Sequence, residues 1–163
     1  MDKQIISQMY EYSIWANGKL FDAAMPLTNE QLLKPFTNYQ FSILGSFVHT
    51  VSAEWRWYQS WIGTPMDERL TVNDLPTIEA VCARWEKLYV ERRAFIESLT
   101  PERLEQPLVR KLQGKDQSIT LWKALVHVAN HGTQHRSEIA LMLTDLGHSP
   151  GDLDMVWYFM NKM

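Results

Sequence analysis

Cysteine is nearly absent: Cys82 stands alone among 163 residues, so no internal disulfide can hold the fold and packing must do so. Glycine and proline are scarce, at 7 each, which excludes collagen-like and low-complexity chains. No apolar run reaches the roughly 18 residues of a membrane span, and no membrane partner is expected. The opening MDKQIISQMY has neither the apolar stretch nor the small-residue cleavage site of a secretory leader, so a reducing cytoplasm is the expected location. A surplus of one charge is lacking too. With 16 basic against 19 acidic residues there is no block that would attract phosphate backbones, and nucleic acid is not an expected partner.

What the chain does hold is apolar and aromatic weight, 45% hydrophobic residues with 7 Trp, 6 Tyr and 6 Phe. A chain of this size buries roughly two-thirds or more of its unfolded surface, enough for one globular domain over residues 1–163. Four segments repeat apolar residues at helical spacing. Ile5, Met9, Tyr12, Ala16, Leu20 and Ala23 form the first face, closed by Pro26. Phe41, Leu44, Val48, Val51, Trp55, Tyr58 and Ile62 form the second, with Ser42 as cap and Gly63 as stop. The third runs through Ile78, Val81, Trp85, Leu88, Arg92, Phe95 and Leu99, with the aliphatic stem of Arg92 expected along the core edge. The fourth runs from Leu121 through Leu125, Val128, His135, Ile139 and Met142 to Leu146 and ends at Gly147.

Two connections echo each other. Leu27-Thr28-Asn29-Glu30-Gln31-Leu32 follows the first helix as Leu99-Thr100-Pro101-Glu102-Arg103-Leu104 follows the third, and in both a threonine is placed to cap a short helical turn. Both connections are too long for tight antiparallel hairpins. The expected fold is therefore all-α, a four-helix bundle with long crossover connections. Leu108 to Thr120 reads as a short β-hairpin turning near Gly114, between helices three and four. The tail after Pro150 reads as a last short element covering one end of the bundle.

The chemistry concentrates in the fourth helix, where His127, His131 and His135 fall at i, i+4 and i+8. At about 100° per residue from Val128, His135 lies near −20°, within the apolar stripe, His131 near −60° at its edge and His127 near −100°. Two histidines one turn apart reach one ion from a helix face, and His131 and His135 are the inward pair. His49 is the one other histidine inside a long helix, with small neighbours Gly45, Ser52 and Ala53 on its face. His49, His131 and His135 are thus the expected ligands of one divalent metal. Three imidazoles leave a coordination position for water or substrate, as catalytic sites do. Zn, Ni or Fe suit such a set, with Co and Cu also compatible.

Neighbouring residues admit blander roles. His127 is expected at the boundary of the site, and Glu138 either as an exposed helix charge or as a carboxylate behind a ligand or a general base. Arg136 is expected to pair with a carboxylate, and Cys82 to pack rather than react. Trp15, Trp57 and Trp61 lie off the apolar stripes, which points to a homodimer face on helices one and two.

Tyr12-Ser13-Ile14-Trp15-Ala16-Asn17, Phe47-Val48-His49-Thr50-Val51-Ser52-Ala53-Glu54-Trp55 and the run from His127 to Arg136 resemble, over nearly the whole chain, the DinB family, in the superfamily that includes the bacillithiol and mycothiol S-transferases. Where that family commonly continues His-Arg with Gly-Gln, this chain has Ser137-Glu138. The resemblance implies a metal-binding four-helix bundle with ligands at His49, His131 and His135. It points to a metal-dependent transfer of a low-molecular-weight thiol to a small electrophile, with a metal-dependent hydrolase and a non-enzymatic, stress-linked ligand-binding protein as alternatives. No catalytic side chain of the protein itself is singled out.

Overall fold

The computed structural model describes residues 2–160 apart from Gln113. In chain order the elements are α1 (Lys3–Ala24), α2 (Asn29–Leu33), α3 (Ile43–Trp61), α4 (Ile78–Ser98), α5 (Pro101–Leu104), β1 (Pro107–Leu112), β2 (Lys115–Thr120), α6 (Leu121–Asp145) and α7 (Met155–Met160). The four long helices pack as a ring in which α1 and α3 each touch both α4 and α6. Helices α1 and α3 are therefore diagonal, as are α4 and α6, and the connections 25–42 and 99–120 cross the bundle. This is the expected all-α bundle with long crossovers.

Local chemistry fixes the helix ends. Ser42 Oγ accepts from the Gly45 amide at 3.1 Å and starts α3; Thr77 does the same for α4 through Ala80. The echoed threonines cap α2 and α5, Thr28 through a capping box with Gln31. Gly147, at φ +82°, ends α6 in the left-handed conformation, and the following His148 amide donates back to the Leu143 carbonyl at 2.9 Å. The hairpin pairs Leu108 with Ile119 and turns at Gly114 (φ +77°), as expected.

Several expectations need correction. The buried face of α1 is Ile6, Tyr10, Ser13, Asn17, Leu20, Phe21 and Ala24, with Tyr12 and Ala16, because α1 is covered on two sides. Ile5 is 54% exposed and, with Met9, looks toward Met155 and Phe159 of α7. The tail does not cap an end of the bundle. It runs along the flank of α1, where Lys19 reaches the Asp152 carbonyl, Tyr12 Oη donates to the Leu153 carbonyl at 2.8 Å, and Tyr158 packs on Tyr12 and Trp15. Trp61, expected on an outer face, is wholly buried among Tyr10 of α1, Tyr58 of its own helix and Phe95 of α4, since α1 and α4 both pack over the end of α3. Trp15 and Trp57 are half-buried within the chain. Arg92 does not skirt the core: its guanidinium lies inside, paired with Glu54 of α3 at 2.5 Å.

Candidate metal centre

Helices α3 and α6 run antiparallel at their contact, His49 facing His131 and His135 while Trp57, two turns later, meets His127 at 5.3 Å. The α6 histidines grade from buried His135 through half-buried His131 to exposed His127, the order that helical phase dictates. Of the small residues around His49, Gly45 leaves room for Phe41 and Ser42, which a Cβ there would meet at 3.2 Å, and Ser52 receives the Leu70 amide.

One ligand atom each from His49, His131 and His135 lies within 4.8 Å of the others, so these three could hold a metal ion. The Nε2 atoms of His131 and His135 are 3.2 Å apart. Two nitrogens bound to one ion at about 2.1 Å stand about 3.0 Å apart at a right angle and about 3.4 Å apart at the tetrahedral angle. The observed spacing falls between these values, and the donor set fits a divalent ion. Burial and the neighbouring His135 hold the His49 pKa below its ordinary value, and for His131 burial, then His135 and His49, push it down to about 4. Both rings are thereby kept neutral near pH 7, the form that binds metal.

Glu138 resolves toward the site. Its Oε2 lies 2.7 Å from His135 Nδ1, a contact that places the ring proton on Nδ1 and turns the Nε2 lone pair toward His49 and His131. Phe41 stacks on the His49 ring at 4.8 Å and walls the other side. Arg136 forms no ion pair among the described residues; it is buried, donates to Thr133 Oγ1 at 2.7 Å and lies over the Tyr12 ring. Cys82 is half-buried on α4 with its thiol pKa raised by burial and then by Glu86, as befits a packing residue.

Glu54 is a further residue of the site, one that helical spacing does not single out. It is 2% exposed, accepts from Trp85 Nε1 at 3.0 Å and from Arg92, and its charge reaches His131. The signal was available: Glu54 interrupts the apolar stripe of α3 between Val51 and Tyr58 as Arg92 interrupts that of α4, and opposite charges in two facing stripes mark a buried pair.

Fold and side chains together define a four-helix bundle with three converging histidines near one end of its α3/α6 seam. The chain belongs to the DinB family, whose family model matches residues 1–162. It is similar to Protein DinB of Bacillus subtilis (strain 168), with 26% identity over 95% of this chain and 94% of the relative. Among solved structures it resembles YfiT from Bacillus subtilis, with a TM-score of 0.73 and 18% identity over 91% of each chain. That protein is described as a probable metal-dependent hydrolase with an unusual four-helix bundle topology.

Proposed function

We propose that this protein is a metal-dependent enzyme whose His49, His131 and His135 hold one divalent ion, zinc, nickel or iron, and that it joins a low-molecular-weight thiol to a small electrophile. The observation that carries the reading is the incomplete ligand set: three imidazoles converge, and among the described residues no fourth metal-binding group completes the cluster. A bound ion with a free position lowers the pKa of a thiol or water beside it and supplies a nucleophile near neutral pH. The chain's own residues supply the setting. Glu138 holds the proton on His135 Nδ1, Phe41 shields His49, and the buried Glu54–Arg92 pair behind the centre fixes α3. Cys82, with its raised pKa, offers no competing nucleophile.

The test is incubation of metal-loaded protein with bacillithiol, glutathione or coenzyme A and a chlorinated or epoxide electrophile. Conjugation that requires the metal and is lost in His135→Ala supports the reading; no conjugation with any thiol rejects it. The second reading is hydrolysis, favoured by the description of the YfiT structure and by Glu138, whose side chain is one-third exposed beside the histidines. Ester or amide turnover lost in Glu138→Gln with metal retained would select it. The homodimer expected on helices one and two has lost Trp61, one of its three indoles, to the core, and forms no part of the proposed function.

A further inference from the structure

Beside the histidines, along α3 toward the hairpin, three arginines gather without carboxylate partners. Arg56 follows His49 by seven residues, two helical turns, and so lies on the same face about 10 Å further along the axis. The connection between α3 and α4 is pinned to that face by the Leu70 amide, which donates to Ser52 Oγ at 2.9 Å, one turn from His49. This brings Arg69 close enough for its charge to act on both His49 and Arg56. From the other side Arg110 of β1 lies over the Trp57 ring at 4.1 Å; Trp57 meets His127, and His127 meets His131 at 6.0 Å. The wall from the centre to Arg110 is continuous. Arg110 also lines a recess of about 310 Å³ with Met66, Asp67 and Asp116.

Among the described residues no ion pair reaches Arg56, Arg69 or Arg110, whereas Arg92 and Arg93 both hold carboxylates. Asp67, exposed, acts on Arg56 and Arg110 only at longer range. Burial lowers the pKa of Arg56 and Arg110, and the like charges of Arg69 and Arg56 respectively lower them further. Arg56 Nε and Arg110 Nη1 are buried N–H donors without an acceptor. Unpaired donors and like charges that Asp67 offsets only in part cost free energy that an anion removes. In a chain of net charge -3, such a cluster beside an open centre is a local recognition feature rather than a property of the whole surface.

We propose that the substrate of this centre carries a carboxylate or phosphate group, received by Arg56, Arg69 and Arg110 while its reactive end lies at the three histidines. The inference rests on the histidines forming an open metal centre, and it holds for a thiol transferase or a hydrolase alike. The arginine forks supply planar, charge-assisted donors suited to such an anion, and the Trp57 face holds Arg110 in place.

The test uses the metal-loaded full chain and two probes with the same metal-binding head, acetohydroxamate and succinate monohydroxamate, which differ in a terminal carboxylate. The expected result is a ratio of affinities of about tenfold or more in favour of the carboxylate probe, as one charge-assisted bond supplies. This ratio should shrink severalfold in Arg56→Gln, Arg69→Gln and Arg110→Gln, shrink less in the matching Lys variants, which keep the charge without the fork, and fall with added salt. Phosphonate in place of the terminal carboxylate tells which anion is preferred. Equal affinity of the two hydroxamates, failure of both to bind, or a ratio untouched by the triple Gln variant overturns the inference. Running 3-mercaptopropionate and an electrophile in parallel separates the two readings: no conjugation with the hydroxamate ratio intact rejects only the thiol chemistry, and conjugation without the ratio rejects only the anion site.

Discussion

The carboxylate of Glu54 meets the guanidinium of Arg92 at 2.5 Å, with both side chains almost wholly out of water, at 3% and 2% exposure. Trp85 Nε1 donates to the same carboxylate oxygen, and the guanidinium lies over the ring of Tyr10 at 4.4 Å. The pair ties α3 to α4 directly behind the helix that carries His49. Both charges have lost their hydration, and each is tolerated only because the other is there.

Removing one partner should therefore cost far more than removing both. Glu54→Gln or Arg92→Met alone should destabilise the protein by about 3–5 kcal/mol, and the double variant should regain a large part of that loss. The exposed Glu11–Arg93 pair provides the contrast, with an expected cost of about 0–1 kcal/mol on truncation. Denaturant unfolding of the five proteins measures both; additive losses at Glu54 and Arg92 would contradict the coupling.

The four long helices, their caps and the hairpin were legible because each rests on a local signal: apolar residues at helical spacing, a threonine or serine before a helix, a glycine after it. The three histidines were legible for the same reason, since helical phase alone grades His135, His131 and His127. What periodicity does not carry is the second layer of contacts. Ile5 and Ile6 are equally apolar, and the choice of Ile6 for the core comes from the ring order of helices and from the tail on the flank of α1. Trp61 reads as outlying on an isolated helix and is buried because Tyr10 of α1 and Phe95 of α4 close around its ring. The Glu138 contact with His135 depends on a side-chain rotamer, and the Glu54–Arg92 pair on two helices meeting, neither of which a single stripe reveals.

Glu138 should act on metal binding through His135. Glu138→Ala should weaken metal affinity about 10- to 100-fold, the usual effect of removing a carboxylate behind a histidine ligand. Glu138→Gln keeps an acceptor for the Nδ1 proton but not the charge, and should lose less. Competition against a chelating dye measures this; unchanged affinity in Glu138→Ala would show that the 2.7 Å contact does not support the ligand.

His127 separates the ligand assignment from its alternative. His49→Ala, His131→Ala and His135→Ala should each sharply reduce metal affinity and lower the melting temperature of the metal-loaded protein, because the ion links α3 to α6. The exposed His127 should be replaceable by Ala with most affinity retained. Loss of metal in His127→Ala but not in His131→Ala would refute the assignment.

The metal-free protein should lose stability in mild acid. His131 has a folded pKa of about 4, depressed chiefly by burial, against about 6.5 when unfolded. Below 6.5 the unfolded chain takes up a proton that the folded chain refuses, so this contribution is fully present above 6.5 and is lost as pH falls toward 4. His49 is shifted the same way. The melting temperature of stripped protein should fall across this window, and His131→Gln should flatten the fall; an identical slope in the variant would assign the effect elsewhere.

Gly132 lies between the two α6 ligands, in the interior of a long helix, where glycine costs about 1 kcal/mol relative to alanine. A Cβ there would stand 3.0 Å from Arg136 Nη1 and 3.3 Å from Glu54 Oε1. Neither neighbour can yield easily: Arg136 is 3% exposed and held by Thr133, and Glu54 is held by Arg92 and Trp85. Gly18, in the interior of α1, is the control, since nothing lies within 4 Å of its added Cβ. Gly18→Ala should stabilise the protein by about the full helix preference of 1 kcal/mol. Gly132→Ala should instead destabilise it by about 1–2 kcal/mol through overpacking, and weaken metal binding by shifting the turn between His131 and His135. Thermal unfolding of both variants, with a metal titration of each, decides the matter: an equal gain in stability from the two substitutions would mean that the Glu54 and Arg136 side chains do not need the space that Gly132 leaves.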